Sequence, residues 1–278
     1  MSDTLTFTDV EANICTIANM IEGDKLYFAQ MAGAPLMAVL LAKHTTAPDV
    51  GYVVEEGAVA PNPSFPLPRM MLGSSRSHHR AVAWYGMNVV DAHAALGYMD
   101  YGLLACLQID KFGNFNSTFI GGTYDKPERR FGGPGGAPEI ASQCWRTLLM
   151  TKLQKRKFVN KLDFMSSPGY LDGSEGARER AGMPANTGPY QIITQEAMFD
   201  FDKETRQMRL IATMPWMTKD DVLEKMEFEP LIADELETMS PPTDEQLVLL
   251  RSEIDPGGLT VSRGEWYKID RETGQKVD

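Results

Sequence analysis

The alternation of helix and strand patterns near the N-terminus constrains the fold of this chain more than any other feature. Apolar residues repeat at helical spacing over residues 9–21 and 35–43, and a capping box precedes the first of these segments. Strand-like composition follows each helix, over residues 25–29 and 51–54. This order predicts an α/β fold with a mixed, largely parallel sheet and flanking helices, in which ligands bind beyond the carboxyl ends of the strands.

The second of these strands ends in two acids and a glycine, Glu55, Glu56 and Gly57. Successive side chains on a strand point to opposite faces, so we expect only one of the two carboxylates to face a cleft. Gly57 allows the backbone to turn sharply and to be approached closely. On the spacing alone, two acids that simply end a strand in solvent are the simpler explanation.

Composition narrows the classes of partner and compartment. The chain has 278 residues, 43% of them hydrophobic, which is ordinary for a globular protein. Its formal net charge of -11 argues against nucleic acid or an anionic membrane as the main partner. The three cysteines lie far apart, which excludes a zinc ribbon and a disulfide framework. We find no export signal and no apolar run of membrane-spanning length, so we expect a cytoplasmic protein.

A glycine-rich segment stands at residues 132–136 and leads into Pro138, a residue suited to the first turn of a helix. Backbone N–H groups before a helix N-terminus can bind an anion or a developing oxyanion. The segment is not a dinucleotide fingerprint, because the third glycine would fall on Pro138, and it is not a P-loop. A tight loop whose glycines only avoid clashes is an equally supported explanation. The four glycines are Gly132, Gly133, Gly135 and Gly136.

Two polar clusters attract attention without predicting a site. His78 and His79 are neighbours in sequence, so they do not share a face, and no further His or Cys stands at ligand spacing. We therefore expect a solvated loop there and no metal site. The basic cluster at residues 152–157 is typical of a solvated hairpin tip.

The remaining organisation suggests one domain. We expect a single domain over residues 1–258 and a polar C-terminal tail over residues 259–278, loose from Arg263 on. Residues 166–190 form a long Gly- and Pro-containing loop, and loops of that length inside a domain tend to be functional or disordered. Residues 192–213 have the pattern of a β-meander.

Together these motifs resemble the class I CoA-transferase family, specifically the B (β) subunit of the glutaconate CoA-transferases. The resemblance runs from about Thr8 to Pro256 and rests on many short matches in order. They include Ala47-Pro48-Asp49 before Glu55 and Gly57, Gln108-Ile109-Asp110, Asn116-Ser117-Thr118, Arg130-Phe131 with Gly135-Gly136-Ala137, Ser167-Pro168-Gly169, and Glu253-Ile254-Asp255-Pro256-Gly257.

The resemblance implies a covalent mechanism at Glu55. This residue would attack an acyl-CoA thioester to give an acyl-glutamyl anhydride, and the CoA thiolate would then form a glutamyl-CoA thioester. An acceptor acid, expected to be a glutaconate-like dicarboxylate, would reverse these steps in a ping-pong cycle. Coenzyme A esters would thus be substrates, and no permanently bound cofactor is expected.

The resemblance also implies a substrate-binding loop and a partner. Amides of Gly132, Gly133, Gly135, Gly136 and Ala137 are expected to bind the oxyanion or CoA, and Pro134 cannot donate. Candidate contacts to substrate or CoA are Arg129, Arg130 and Arg178. The family splits its catalytic unit into two halves, so an A (α) subunit is the expected partner in a hetero-oligomer.

Two departures from the family pattern keep alternatives open. Glu56 stands where a small polar residue is usual, and the segment from Gly73 to Tyr85 matches poorly. A CoA-ester hydrolase or a C–C bond cleaving enzyme on the same scaffold is the first alternative to a CoA-transferase. A noncatalytic subunit that stabilises an active partner is the second.

Overall fold

The structure, a computed structural model, describes residues 3–29, 33–68, 71 and 73–277. The chain divides into two compact units. Unit 1 contains the described residues of 1–90, 214–216 and 238–278, and unit 2 contains residues 91–213 and 217–237. The single domain expected over residues 1–258 stays a prediction.

Most of the longer helices in the described ranges begin at a capping box or have a proline in the first turn, and both signals can be read from the sequence. The expected capping box of Thr8 and Glu11 is confirmed, and Thr218 and Thr243 cap later helices in the same way. A π-helix over Leu250–Ile254 and a 3-10 helix over Val261–Arg263 follow the last α-helix. The α-helices are α1 (Asp9–Met20), α2 (Ala34–His44), α3 (Met87–Ala95), α4 (Ala137–Gln143), α5 (Ala177–Arg180), α6 (Lys219–Glu224) and α7 (Asp244–Leu249).

The strands are numbered in the same way. They are β1 (Thr4–Thr8), β2 (Leu26–Ala29), β3 (Gly51–Val54), β4 (Ala58–Val59), β5 (Ala83–Trp84), β6 (Tyr101–Ala105), β7 (Gln108–Ile109), β8 (Phe115–Asn116), β9 (Phe119–Gly122), β10 (Pro127–Arg130), β11 (Arg146–Met150), β12 (Pro189–Ile193), β13 (Ala197–Phe201), β14 (Met208–Thr213), β15 (Leu231–Thr238) and β16 (Trp266–Asp270).

The strands of unit 1 include one parallel pair followed by two antiparallel strands. β2 and β3 pair in parallel, β4 returns antiparallel to β3, and β5 pairs antiparallel with β4. α1 and α2 pack against each other, and residues 35–42 of α2 are all buried. Such a helix needs apolar residues on every face, which is the pattern that its sequence carries.

The C-terminal tail corrects the sequence interpretation. Residues from Arg263 on were expected to be loose, but β16 pairs antiparallel with β1. Tyr267 and Ile269 are buried, whereas Trp266 and Lys268 face solvent. This alternation is the pattern of a half-buried strand, and it is short enough to be hidden among the polar residues of the tail.

The sheet of unit 2 joins a parallel part to a meander. β6 and β11 pair in parallel, as do β11 and β12. β12, β13 and β14 then continue as the predicted antiparallel meander. The expected mixed, largely parallel sheet with flanking helices is therefore confirmed, and its parallel strands β3, β6 and β11 end at Val54, Ala105 and Met150.

A buried amide orders the start of the long loop of residues 166–190. The Asn114 side chain donates to the Leu171 carbonyl (2.7 Å) and accepts hydrogen bonds from the backbone N–H groups of Gly169 (2.8 Å) and Leu171 (3.0 Å). Asp110 accepts a further hydrogen bond from the same amide at 2.8 Å. Because each polar atom of Asn114 has a partner, its burial stabilises the loop.

Among the described residues, none of the helices has the length and apolar character that spanning a membrane requires.

Candidate functional site

The acidic residues that follow β3 occupy a tight turn. β3 ends at Val54, and the N–H of Gly57 donates to the Val54 carbonyl at 2.9 Å. Glu55 and Glu56 are thus the two central residues of a β-turn, and the argument from alternating strand faces does not apply to them. Glu55 stands at the carboxyl end of a parallel strand, and its side chain is half-buried.

Only glycine fits at the end of this turn. Gly57 has a φ of +105°, which side-chain-bearing residues rarely adopt, and a Cβ atom there would overlap the carbonyl of Tyr85. The Tyr85 N–H donates to the Gly57 carbonyl at 3.0 Å. The close approach that the sequence predicted for Gly57 is therefore made by the strand-to-helix segment that follows β5.

The half-buried Glu56 and the buried His78 form a pair that the sequence did not predict. His78 was expected in a solvated loop, but it is buried, and its Nε2 lies 3.9 Å from Oε2 of Glu56. The His78 ring packs edge-on against Trp84, with 4.5 Å between ring centroids. The expectation fails because His78 is buried by Trp84 of β5, and the residues next to His78 in sequence give no sign of this contact. His79, in contrast, is exposed.

The polar atoms of this pair lack hydrogen-bond partners among the described residues. Both carboxyl oxygens of Glu56 and Nε2 of His78 are buried without one. Burial raises the pKa of the Glu56 carboxyl and the neighbouring Glu55 adds to the rise, while the backbone N–H groups of Glu56 and Gly73 oppose it without cancelling it. Burial also lowers the pKa of His78. The site therefore favours the uncharged forms of both groups.

The glycine-rich segment of unit 2 is a loop that leads into α4, as predicted. Pro138 stands in the first turn of α4, and Gly133 and Gly135 have positive φ angles of +90° and +56°. The Ala137 N–H donates to the Pro134 carbonyl within the loop, at 3.1 Å. The N–H groups of Gly132, Gly133 and Gly135 donate to no other group in the described part of the chain. These three amides are the ones open to a ligand.

The three candidate arginines occupy different environments in unit 2. Arg129 is exposed, with its guanidinium 4.8 Å from the ring centroid of Phe131, which precedes the glycine-rich loop. Arg130 is exposed and stacks on Tyr124 at 4.5 Å.

Arg178 is only 4% exposed and is held by backbone carbonyls. Its guanidinium donates to the carbonyls of Gly169 (2.7 Å) and Ala141 (3.0 Å) and to Oγ1 of Thr187 (3.0 Å). Burial lowers its pKa to about 10. These contacts tie the end of α4 to the long loop, and they would serve a structural role whether or not Arg178 also contacts a substrate.

Comparisons with known proteins find relatives that match over most of the chain. The family model described as Coenzyme A transferase matches residues 11–225. The chain is 34% identical to the B subunit of glutaconate CoA-transferase from Acidaminococcus fermentans, over 92% of this chain and 96% of that protein. The crystal structure of that enzyme superposes with a TM-score of 0.83, at 33% identity, covering 92% of this chain and 97% of the other.

Two further relatives differ in their named activities. The B subunit of 3-oxoadipate CoA-transferase from Pseudomonas knackmussii is 32% identical, over 79% of this chain and 83% of that protein. A cholesterol ring-cleaving hydrolase IpdB subunit of Mycobacterium tuberculosis is 26% identical, over 89% of this chain and 96% of that protein.

Proposed function

The chain belongs to the coenzyme A transferase family, and we propose that it is the B subunit of an enzyme that moves CoA from an acyl-CoA to a carboxylic acid. A small dicarboxylate of the glutaconate type is the proposed acid. The observation that carries the proposal is the half-buried carboxylate of Glu55, placed at the carboxyl end of a parallel strand by a turn that only Gly57 can close.

In the proposed reaction Glu55 is the covalent nucleophile. Its carboxylate attacks the thioester carbonyl, the C–S bond breaks, and CoA leaves as a thiolate from an acyl-glutamyl anhydride. The thiolate then attacks the glutamyl carbonyl, which releases the first acid and leaves glutamyl-CoA. A second carboxylate repeats the two steps in reverse. No resident cofactor is needed, because Glu55 itself carries each group in turn.

The open amides of the glycine-rich loop are the proposed donors to the oxyanion or to CoA. Each attack passes through a tetrahedral oxyanion, and one well-placed donor lowers such a barrier by roughly 3 kcal/mol. Gly132, Gly133 and Gly135 have the free N–H groups that this role requires, whereas the Ala137 N–H is bonded to Pro134. Changes in the loop should therefore affect turnover more than assembly.

We propose that an A subunit covers the surface next to the Glu55 turn. Val82, Trp84, Tyr85 and Met87 are large apolar residues that all face solvent around β5. Exposed apolar groups in one short segment mark an interaction surface. This segment also contacts the turn, through Tyr85 and Gly57, so a partner here would exclude water that hydrolyses the anhydride.

An exposed tryptophan elsewhere in unit 1 offers a matched test of that surface. Trp84 and Trp266 are 55% and 58% exposed. We expect Trp84→Ala to weaken assembly with the A subunit in sedimentation velocity, and Trp266→Ala to leave it intact. Equal assembly of both variants would contradict the proposed surface.

The cytoplasm is the proposed location. Cys15, Cys106 and Cys144 are all free and buried. Buried reduced thiols are typical of a reducing compartment.

The covalent intermediate provides the test of the function. The complex of this chain with its A subunit is incubated with an acyl-CoA and then with hydroxylamine, and peptides are analysed by mass spectrometry. We expect a hydroxamate at Glu55. Glu55→Ala should abolish CoA exchange and labelling while leaving assembly intact, and Glu204→Ala, an exposed turn variant, should retain both.

The hydrolase alternative is favoured by the name of one 26%-identical relative. It makes a different prediction in the same experiment. A hydrolase would release free acid and CoA from the acyl-CoA faster than an added carboxylate accepts CoA. A transferase keeps exchange ahead of hydrolysis.

A further inference from the structure

A cavity in unit 2 lies where the parallel strands β6 and β11 end. It has a volume of about 220 Å³. Leu107 and Ile120 line its apolar part, together with Phe131 from the start of the glycine-rich loop, and Arg129, Arg156 and Lys157 line the rest. Leu107 follows β6 by two residues. Crevices beyond the carboxyl ends of parallel strands are where α/β proteins bind ligands.

Lys157 lines the cavity and also hydrogen-bonds the residues at the two strand ends. Its Nζ donates to the carbonyl of Cys106 at 3.1 Å and to Oγ1 of Thr151 at 3.2 Å. Cys106 and Thr151 are the residues directly after β6 and β11. The sequence placed this lysine on a solvated hairpin tip, but it is half-buried between two strands that are remote in sequence.

The positive charge of the cavity has no counter-ion in the described part of the chain. Lys157 contacts only neutral acceptors, Arg156 donates to the amide oxygen of Gln154, and Arg129 stacks on Phe131. None of the three takes part in an ion pair with a described carboxylate. Burial lowers the pKa of Lys157, and the nearby Arg156 adds to the shift.

Three converging cations without an anion are unusual in a chain with a net charge of -11. Arg129 and Arg156 are exposed, so the cost of desolvation falls on the half-buried Lys157, and an anionic ligand would offset it. Arginine in particular binds carboxylates and phosphates through paired N–H groups.

We propose that this cavity binds the anionic end of a substrate, a carboxylate or phosphate group joined to an apolar segment. The apolar lining suits a short acid chain, and the three cations beside it suit the charged group of that chain. The inference rests on the proposed function, since it assigns the anion to the acyl-CoA or to the acceptor acid. Two sources remain open to the test, namely the distal carboxylate of a dicarboxylate and a phosphate of CoA.

Steady-state kinetics of the complex with its A subunit separates these sources. One acyl-CoA donor is used with a dicarboxylate acceptor and with the monocarboxylate of equal chain length, and CoA esters are compared with their 3′-dephospho forms. We expect Arg129→Gln and Arg156→Gln to raise the KM of the substrate that carries the bound anion by about tenfold or more, with little change in KM for its partner lacking that group.

Neighbouring Lys155 supplies the control. It is exposed in the same segment but does not line the cavity, so Lys155→Met should leave every KM unchanged. Lys157→Met completes the set, although its buried contacts make the two arginine variants the primary test. A rise in KM confined to the dicarboxylate assigns the cavity to the acid. A rise in KM confined to the CoA ester that carries the 3′-phosphate assigns it to CoA. KM values unchanged from the wild type for every substrate in both arginine variants would overturn the proposal.

Binding without turnover distinguishes this inference from the proposed function. The Glu55→Ala complex cannot form the covalent intermediate, and isothermal titration with the preferred dicarboxylate or CoA measures binding alone. We expect Arg156→Gln in that background to weaken binding by about tenfold or more. A binding loss without a hydroxamate at Glu55 would reject the proposed function and support anion binding in the cavity. A normal hydroxamate with unchanged binding would support the function and reject anion binding in the cavity.

Discussion

The carboxyl ends of the parallel strands carry opposite chemistry in the two units. β3 of unit 1 ends in two carboxylates, whereas β6 and β11 of unit 2 end at a cavity lined by three cations. In unit 1 Glu56 stands 3.9 Å from a histidine, and in unit 2 the Lys157 Nζ donates to neutral oxygens. The proposed roles follow this division, with nucleophilic attack at the acidic end and anion recognition at the cationic end.

The difference shows that the strand topology determines where the charged residues lie, whereas the segments that follow each strand determine which charges they carry. In α/β proteins the residues that follow the carboxyl ends of parallel strands are placed where ligands bind. In unit 1 a four-residue turn fixes adjacent acids by a single backbone hydrogen bond. In unit 2 the cations come from segments remote in sequence, so the cavity depends on tertiary contacts.

The largest effect is expected from Gly57→Ala in the acidic turn. An added Cβ would overlap the Tyr85 carbonyl in a conformation that alanine rarely adopts. We expect the free energy of unfolding to fall by about 3 kcal/mol and CoA exchange to be lost. Denaturant unfolding and an exchange assay measure the two effects.

Gly23→Ala provides a control in the same unit. A Cβ atom added at Gly23 would lie 3.7 Å from the Cα of Ala47, which is an ordinary contact distance. The φ of Gly23 is not in the positive range. We expect its stability to stay within about 0.5 kcal/mol of the wild type. A similar loss of unfolding free energy in both variants would show that the turn does not require glycine at position 57.

A smaller effect is expected from Arg178→Met, which tests whether all cations of unit 2 serve recognition. The substitution leaves the carbonyls of Gly169 and Ala141 and the Thr187 hydroxyl without their donor. We expect a loss of about 2 kcal/mol in the free energy of unfolding, in contrast to the KM effects at Arg129 and Arg156. Thermal and denaturant unfolding check this.

Arg180→Met is the matched variant, because Arg180 is exposed on the same short helix. It should cost about 0.5 kcal/mol or less. Unchanged stability of Arg178→Met with a raised substrate KM would instead place Arg178 with the recognition residues.

Sequence reasoning succeeded where local signals decide the structure. The capping box at Thr8, the entry of Pro138 into α4 and the end of β3 before Glu55 each depend on residues within one or two turns. Glycine and proline restrict the backbone wherever they stand, so Gly57 was also identified as a point of close approach.

It failed where burial comes from distant segments. His78 is covered by Trp84 and Glu56, Lys157 by the residues after β6 and β11, and β16 by β1 at the other end of the chain. Polar residues in a row indicate a solvated loop in each case, because periodicity carries no information about which remote strand will pack on them. The cation cavity was therefore missed, although its residues were noted as basic.

The smallest effect is expected from Glu56→Gln and depends on pH. Burial raises the pKa of Glu56 above its ordinary value of 4.5, so the folded state retains this proton at pH values where the unfolded chain has lost it. Stability therefore falls as pH rises from about 4.5 through the folded-state pKa. A neutral amide removes that dependence.

We accordingly expect Glu56→Gln to be more stable than the wild type near pH 7, by about 1 kcal/mol, and nearly equal to it at pH 4. Denaturant unfolding at both pH values measures the difference, and Glu204→Gln, an exposed acid, should show none. A variant less stable than the wild type at pH 7 would mean that His78 is protonated and pairs with a charged Glu56. The contrast between the two strand ends would then be weaker, because the acidic end would hold its own counter-ion.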